Sequence, residues 1–213
     1  MGVRLHLLRH GQTPSSRDNV FCGSGIDPEL TPDGVKMAAA FASAYAATEW
    51  KAIYSSPLRR AAATAQTIAD RAGVAYSTRD GLAEIDYGQW DGMTATAVDR
   101  DFHDDYVRWT ADPAWNAPTG GETAIALARR VLGVVEEVTK DVHDGNVLLV
   151  SHKASIRSLL CTLLGIDVGR FRYRLACPVS SVSIVEFGPY GPLALTVADR
   201  SHLDTRLLAL PGT

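Results

Sequence analysis

Short apolar runs alternate with longer amphipathic stretches along this chain, and that alternation restricts the fold more than any other feature. Val3-Arg4-Leu5-His6-Leu7-Leu8, Lys51 to Ser55, Val74 to Thr78 and Asn146 to Val150 have the length and composition of strands. Helical patterns lie between them. Thr31 is placed as an N-cap with Pro32 at the first helical position, opening an Ala-rich helix to about Ala47. Ser56-Pro57 opens a second helix from about Leu58 to Ala72, closed by Gly73. Glu122 to His143 is a long amphipathic helix with Ile125, Ala128, Val131, Leu132 and Val135 on one side, and Lys153 to Gly165 is another. Val182 to Phe187 and Leu193 to Val197 flank Gly188-Pro189-Tyr190-Gly191-Pro192 as a hairpin. Strands joined through helices with right-handed crossovers predict an α/β fold, a three-layer α/β/α sandwich with a mostly parallel central sheet.

Bulk properties narrow the class. At 213 residues with 46% hydrophobic content the chain fits one domain, 1–213, and Asp91 to Trp109, polar and poorly periodic, reads as a helical excursion across the top of the sheet. A net charge of −3 argues against a nucleic-acid partner, and no run of apolar residues is long enough for a membrane span. Cys22, Cys161 and Cys177 form no CxxC pair and leave one over, so reduced thiols and a cytoplasmic location are expected. No ligand spacing for a metal and no Walker A or GxGxxG pattern occurs, so neither metal nor cofactor is expected.

The ends of the strands carry the chemistry. Leu7-Leu8-Arg9-His10-Gly11-Gln12-Thr13 delivers a guanidinium, an imidazole and a glycine at the carboxyl end of a strand, where open α/β sheets hold their ligands. An imidazole beside a guanidinium suits attack on a phosphoryl group, the cation neutralising oxygens while a neutral ring nitrogen supplies the lone pair. Ser55-Ser56-Pro57-Leu58-Arg59-Arg60-Ala61 places arginine in the first turn of a helix, where the helix terminus already attracts anions; Arg59 is the expected contact and Arg60 the expected surface residue. Glu84 and Asp86 offer carboxylates after another strand, and Val150-Ser151-His152-Lys153 runs an apolar strand straight into a second histidine.

Arg9-His10-Gly11-Gln12-Thr13, the Ser-Ser-Pro-Leu-Arg-Arg-Ala helix start, Glu84 with Gly88-Gln89-Trp90-Asp91-Gly92, and Ser151-His152 occur in that order, together with Asp27-Pro28-Glu29-Leu30-Thr31 and Gly120-Gly121-Glu122. In this ordered set the chain resembles the histidine phosphatase superfamily, also called phosphoglycerate mutase-like, over roughly residues 3 to 200. The resemblance implies His10 as the phosphorylated nucleophile, Arg9, Arg59 and His152 holding phosphoryl oxygens, and Glu84 as proton donor. It further implies Gln12, Thr13 and Ser24 as phosphate or substrate contacts; Lys153 departs from the family, which usually has glycine there, and is expected as a further contact because its side chain adds a positive charge near the pocket. The activity implied is metal-independent hydrolysis of a small phosphorylated metabolite through phospho-His10, releasing inorganic phosphate. The alternative is a 2,3-bisphosphoglycerate-dependent phosphoglycerate mutase, which the Gly-Gln-Trp-Asp-Gly segment resembles less. The excursion at about 91–120 is expected to act as a lid that obstructs a protein substrate, and a homodimer is common in the family. Substrate selection is expected from Arg17, Phe21, Tyr106, Arg108, Trp109 and Trp115.

Overall fold

The computed structural model describes residues 2–212. Six strands form one sheet in the order β3-β2-β4-β1-β5-β6, where β1 is Val3–Arg9, β2 Trp50–Ser55, β3 Tyr76–Thr78, β4 Gly145–Ser151, β5 Val182–Gly188 and β6 Gly191–Asp199. The β1–β4, β2–β4 and β2–β3 pairs are parallel, while β5 runs antiparallel to both of its neighbours. Only one strand of six is therefore reversed, and the expected mostly parallel sheet is present. The hairpin expected at 188–192 joins β5 to β6.

Helices α1 (Pro14–Arg17), α2 (Pro32–Ala44), α3 (Arg59–Ala72), α4 (Ala95–Asp101), α5 (His103–Ala111), α6 (Ala124–Asp141), α7 (Lys153–Leu164), α8 (Phe171–Arg174) and α9 (Thr205–Leu208) complete the described chain. Their boundaries follow local chemistry. Thr31 caps α2 by accepting from the Gly34 N–H at 3.0 Å with Pro32 following, and α3 and α7 end on Gly73 and Gly165 in the left-handed conformation at φ 67°. The buried face of α6 is Ala124, Leu127, Ala128, Val131, Val134, Val135 and Val138, so Ile125 and Leu132 sit at its margin rather than on the expected stripe. The turns at α1 and α8 have no sustained period to betray them in the sequence, being four residues each.

Side-chain alternation along the central strands produces the three layers. Val3, Leu5 and Leu7 of β1, with Val147 and Leu149 of β4, point into one core with α6 and α7. Leu8 of β1, with Leu148 and Val150 of β4, points into the other with α3 and Phe41 of α2. His6 lies on that second face, its ring edge-on to Trp50 at 4.9 Å and its Nε2 3.1 Å from the Asn146 amide oxygen, as a packed core histidine.

The topology also dictates where a ligand can sit. β1 and β4 are parallel neighbours, yet the chain leaves β1 toward α2 on one face and leaves β4 toward α7 on the other. A crevice opens between two strand ends whose connections diverge this way.

Candidate active site

His10 follows the last residue of β1 and His152 the last residue of β4; the His10 ring lines a cavity there, while His152 is fully buried and is not among the residues that line it. The His10 N–H donates to the Ser151 carbonyl at 3.1 Å, and the two ring centroids are 5.1 Å apart. Close approach behind His10 requires glycine on both sides: a Cβ on Gly11 would meet the Gly34 carbonyl oxygen at 2.3 Å, and one on Gly34 would meet the Gln12 carbonyl oxygen at 2.1 Å. This contact locks the loop after β1 onto the start of α2.

The tautomer of His10 follows from its partner. Its Nδ1 lies 2.7 Å from the Gly11 carbonyl oxygen, which can only accept, so Nδ1 carries the hydrogen and Nε2 keeps the lone pair. Burial, then Arg60 and Arg9, hold His10 well below the ordinary imidazole pKa, and the ring is neutral. Ser56 Oγ accepts from the Leu58 N–H at 3.2 Å and lies 2.7 Å from His152 Nε2. The other ring nitrogen, Nδ1, is buried and has no protein partner. Burial, followed by Arg60 and the neighbouring His10, also holds His152 well below its ordinary pKa.

Of the four guanidiniums that line this cavity of about 180 Å³, two lie with His10, and the second of these is not the one expected. Arg9 is anchored through Nη1 to the carbonyls of Cys177 (2.6 Å) and Gly212 (3.2 Å), while its buried Nε has no partner. Arg60, with a side chain 1% exposed, lines the cavity and donates to the carbonyls of Ile26 and Gly23, both at 3.0 Å, beside Asp27. Arg59 is 70% exposed, faces Glu29 at 3.6 Å and lies outside the cavity. The expected assignment of the two arginines is thus reversed. Helical periodicity explains it: Arg60, Thr64 and Ile68 share the inner face of α3, whereas Arg59, Ala63, Gln66 and Asp70 form its exposed stripe. Counting back from the apolar side of the helix would have found Arg60 in the sequence.

Glu84 is fixed at the start of α7, where its carboxylate meets the helix N-terminus. Oε2 accepts from the Ala154 N–H at 3.1 Å, and Oε1 from the N–H (3.2 Å) and hydroxyl (3.1 Å) of Ser155. Arg130, which nothing in its sequence context marks, staples the preceding loop by donating to the carbonyls of Gly81, Ala83 and Glu84 while paired with Glu122. Asp86, the competing carboxylate, lies outside the cavity and accepts from the Gly88 N–H.

The remaining expected contacts divide. Thr13 lines the cavity and caps α1 by accepting from the Ser16 N–H at 3.1 Å, and Lys153 lines it as well. Gln12 does not: its amide donates to the Pro211 carbonyl at 2.7 Å and accepts from the Thr31 hydroxyl at 2.9 Å, so both ends serve the fold. Ser24 is exposed and lies outside the cavity, bordering a second, more open depression with Asp80, Glu84, Asp86, Glu122 and Arg130. Of the residues expected to select substrate, Phe21 and Trp109 line the cavity. Arg17 and Arg108 are exposed and paired with Asp18 and Asp105, Tyr106 packs behind Trp90 and Trp109, and Trp115 is 74% exposed. Arg157 and Arg172 also border the cavity and were not expected.

Comparison with known proteins gives this arrangement a family. The model of the histidine phosphatase superfamily (branch 1) matches residues 5–200. Phosphoserine phosphatase 1 of Hydrogenobacter thermophilus is 33% identical over 201 residues, covering 94% of each chain. Glucosyl-3-phosphoglycerate phosphatase of Mycolicibacterium vanbaalenii is 36% identical over 172 residues, covering 78% of this chain and 76% of its own. Among solved structures, a mutant phosphoserine phosphatase from Entamoeba histolytica in complex with phosphoserine superimposes with a TM-score of 0.83 at 25% identity, covering 95% of this chain and 100% of its own.

Proposed function

The chain belongs to the histidine phosphatase superfamily, and from that membership we propose that it hydrolyses a small phosphorylated metabolite by passing the phosphoryl group through His10. The observation that carries this reading is the neutral His10 ring, its Nε2 lone pair free, set among Arg9, Arg60, Glu84 and His152. In the first step Nε2 attacks phosphorus and the ester P–O bond breaks. Its electron pair leaves on the alcohol oxygen, which takes the proton carried by Glu84. Arg9 and Arg60 neutralise the equatorial oxygens, and a ring N–H of His152 donates to one of them. In the second step Glu84 accepts a proton from water as the water oxygen attacks phosphorus. The P–N bond breaks and its electrons return to Nε2. The sum is ester plus water giving alcohol plus inorganic phosphate, with no metal called upon.

Hydrolysis rather than return of the phosphoryl group to product, as a mutase would do, is supported by the phosphatase names of the relatives. We read the whole chain as one domain and residues 91–120, which bring Trp109 of α5 to the cavity wall, as its lid. Among the described residues no helix is long and apolar enough to cross a membrane. The test is phosphate release from phosphoserine, 3-phosphoglycerate and glucosyl-3-phosphoglycerate, with and without chelator. Hydrolysis of at least one, unaffected by chelation, is expected. Interconversion of 3- and 2-phosphoglycerate without net phosphate release would contradict the assignment.

A further inference from the structure

Charge in the cavity is out of proportion to a phosphoryl group alone. Five cationic side chains line it, Arg9, Arg60, Lys153, Arg157 and Arg172, against the single carboxylate of Glu84. Arg9 and Arg60 are held by protein carbonyls and flank His10. The other three make no salt bridge or side-chain hydrogen bond among the described residues. Arg157 Nε and Arg172 Nη1 are buried donors with no partner, and so is Nε1 of Trp109 in the same wall. Buried donors left unpaired each cost free energy, which a fold retains where a ligand satisfies them.

Placement sharpens this. Lys153 and Arg157 are four residues apart on α7, so two like charges project from one face of a helix, a destabilising arrangement in isolation. Arg172 comes from α8, its Cζ 3.9 Å from the centre of the Trp109 ring and 5.5 Å from that of Tyr173. A guanidinium packed against aromatic rings has fewer orientations open to its donor edge, which suits a planar two-oxygen acceptor.

We propose that Lys153, Arg157 and Arg172 form a second anion subsite that takes a carboxylate of the substrate, so the preferred ester is a phosphorylated carboxylic acid. This rests on the phosphatase reading above and adds the substrate class to it. The cavity, at about 180 Å³, suits a compact substrate in which the two anionic groups are separated by a few bonds.

Two matched pairs isolate the carboxylate. 3-Phosphoglycerate differs from glycerol 3-phosphate by a carboxylate in place of a hydroxymethyl group, and phosphoserine differs from phosphoethanolamine by the carboxylate alone. The wild-type enzyme is expected to favour the acid in each pair by at least about tenfold in kcat/KM, the scale of one charge-assisted contact. In Arg157→Met and Arg172→Met that ratio is expected to fall toward unity. Equal wild-type rates within both pairs would overturn the subsite while leaving the phosphatase standing, and need no variant that folds. A sugar bisphosphate preferred over both acids would overturn the carboxylate assignment. Failure to release phosphate from any ester, with no phosphoryl group on His10, would remove the underlying reading itself.

Discussion

The floor and the wall of the cavity are built on opposite principles. On the floor, His10, Arg9, Arg60 and Glu84 are fastened by protein partners: carbonyls hold one edge of each cation, and backbone and hydroxyl donors hold the carboxylate. On the wall, Lys153, Arg157 and Arg172 stand without acidic partners, and Arg172 is held by the aromatic rings of Trp109 and Tyr173. The contrast separates two tasks. Groups that move a phosphoryl unit must already be positioned when substrate arrives. Groups that select the remainder of the substrate can be left for it to satisfy.

Disturbing the floor should therefore cost turnover with every ester, and disturbing the wall should cost discrimination. Glu84→Gln removes the transferable proton but keeps the size of the side chain. We expect a loss of roughly 10²–10⁴-fold in kcat with alkyl phosphates. The loss should be far smaller with p-nitrophenyl phosphate, whose leaving group needs no proton. Equal losses on both would contradict the acid role. Replacing the buried arginine, Arg60→Ala, is expected to lower kcat/KM by about 10²-fold or more, whereas Arg59→Ala stays within about twofold because that side chain is solvated and weakly paired. The reverse order would overturn the arginine assignment.

On the wall, pH offers a smaller and more selective probe. Burial, with Arg9 and Arg157 nearby, brings Lys153 down to about 8, against the opposing pull of Cys177 and Glu84. Lysine loses its charge as pH rises, so kcat/KM for 3-phosphoglycerate should decline through about pH 8. The decline for glycerol 3-phosphate should be shallower. Lys153→Met should remove the difference between the two profiles, and persistence of that difference would exclude Lys153 as its source.

The floor also leaves a mark on stability. His10 and His152 are held below the ordinary imidazole pKa, so below about 6.5 the unfolded chain binds protons that the folded chain refuses. Stability contributed by the neutral rings is present above about 6.5 and drops as pH falls, by up to ~1.4 kcal/mol per pH unit for each ring. Thermal unfolding of the ligand-free protein should show a falling Tm from pH 7 to 5, with a shallower slope in His10→Ala. An unchanged slope in that variant would mean that His10 already takes up its proton in the folded state.

The same division governs what the sequence made legible. Strand ends are visible as apolar runs meeting polar residues, which marks His10, His152 and Glu84 in the sequence, and the alternating elements point to the layers and the hairpin, though not to the reversal of β5. First-turn position alone points to Arg59, whereas helix face points one residue on, to the buried Arg60. Gln12 and Ser24 were misplaced for a different reason. Whether a loop amide turns to the cavity or to Pro211 depends on a segment nearly 200 residues away. Arg157 carried a usable signal, its spacing of four from Lys153. Arg172, on a four-residue helix with no period of its own, carried none.

Rapid-quench incubation with a phosphorus-labelled ester, followed by proteolysis and mass analysis, tests the central claim most directly. One acid-labile phosphoryl group on the peptide containing His10, formed and lost at rates compatible with turnover and missing from His10→Ala, is the predicted result. Steady phosphate release with label on no histidine, or with full activity retained in His10→Ala, would contradict it.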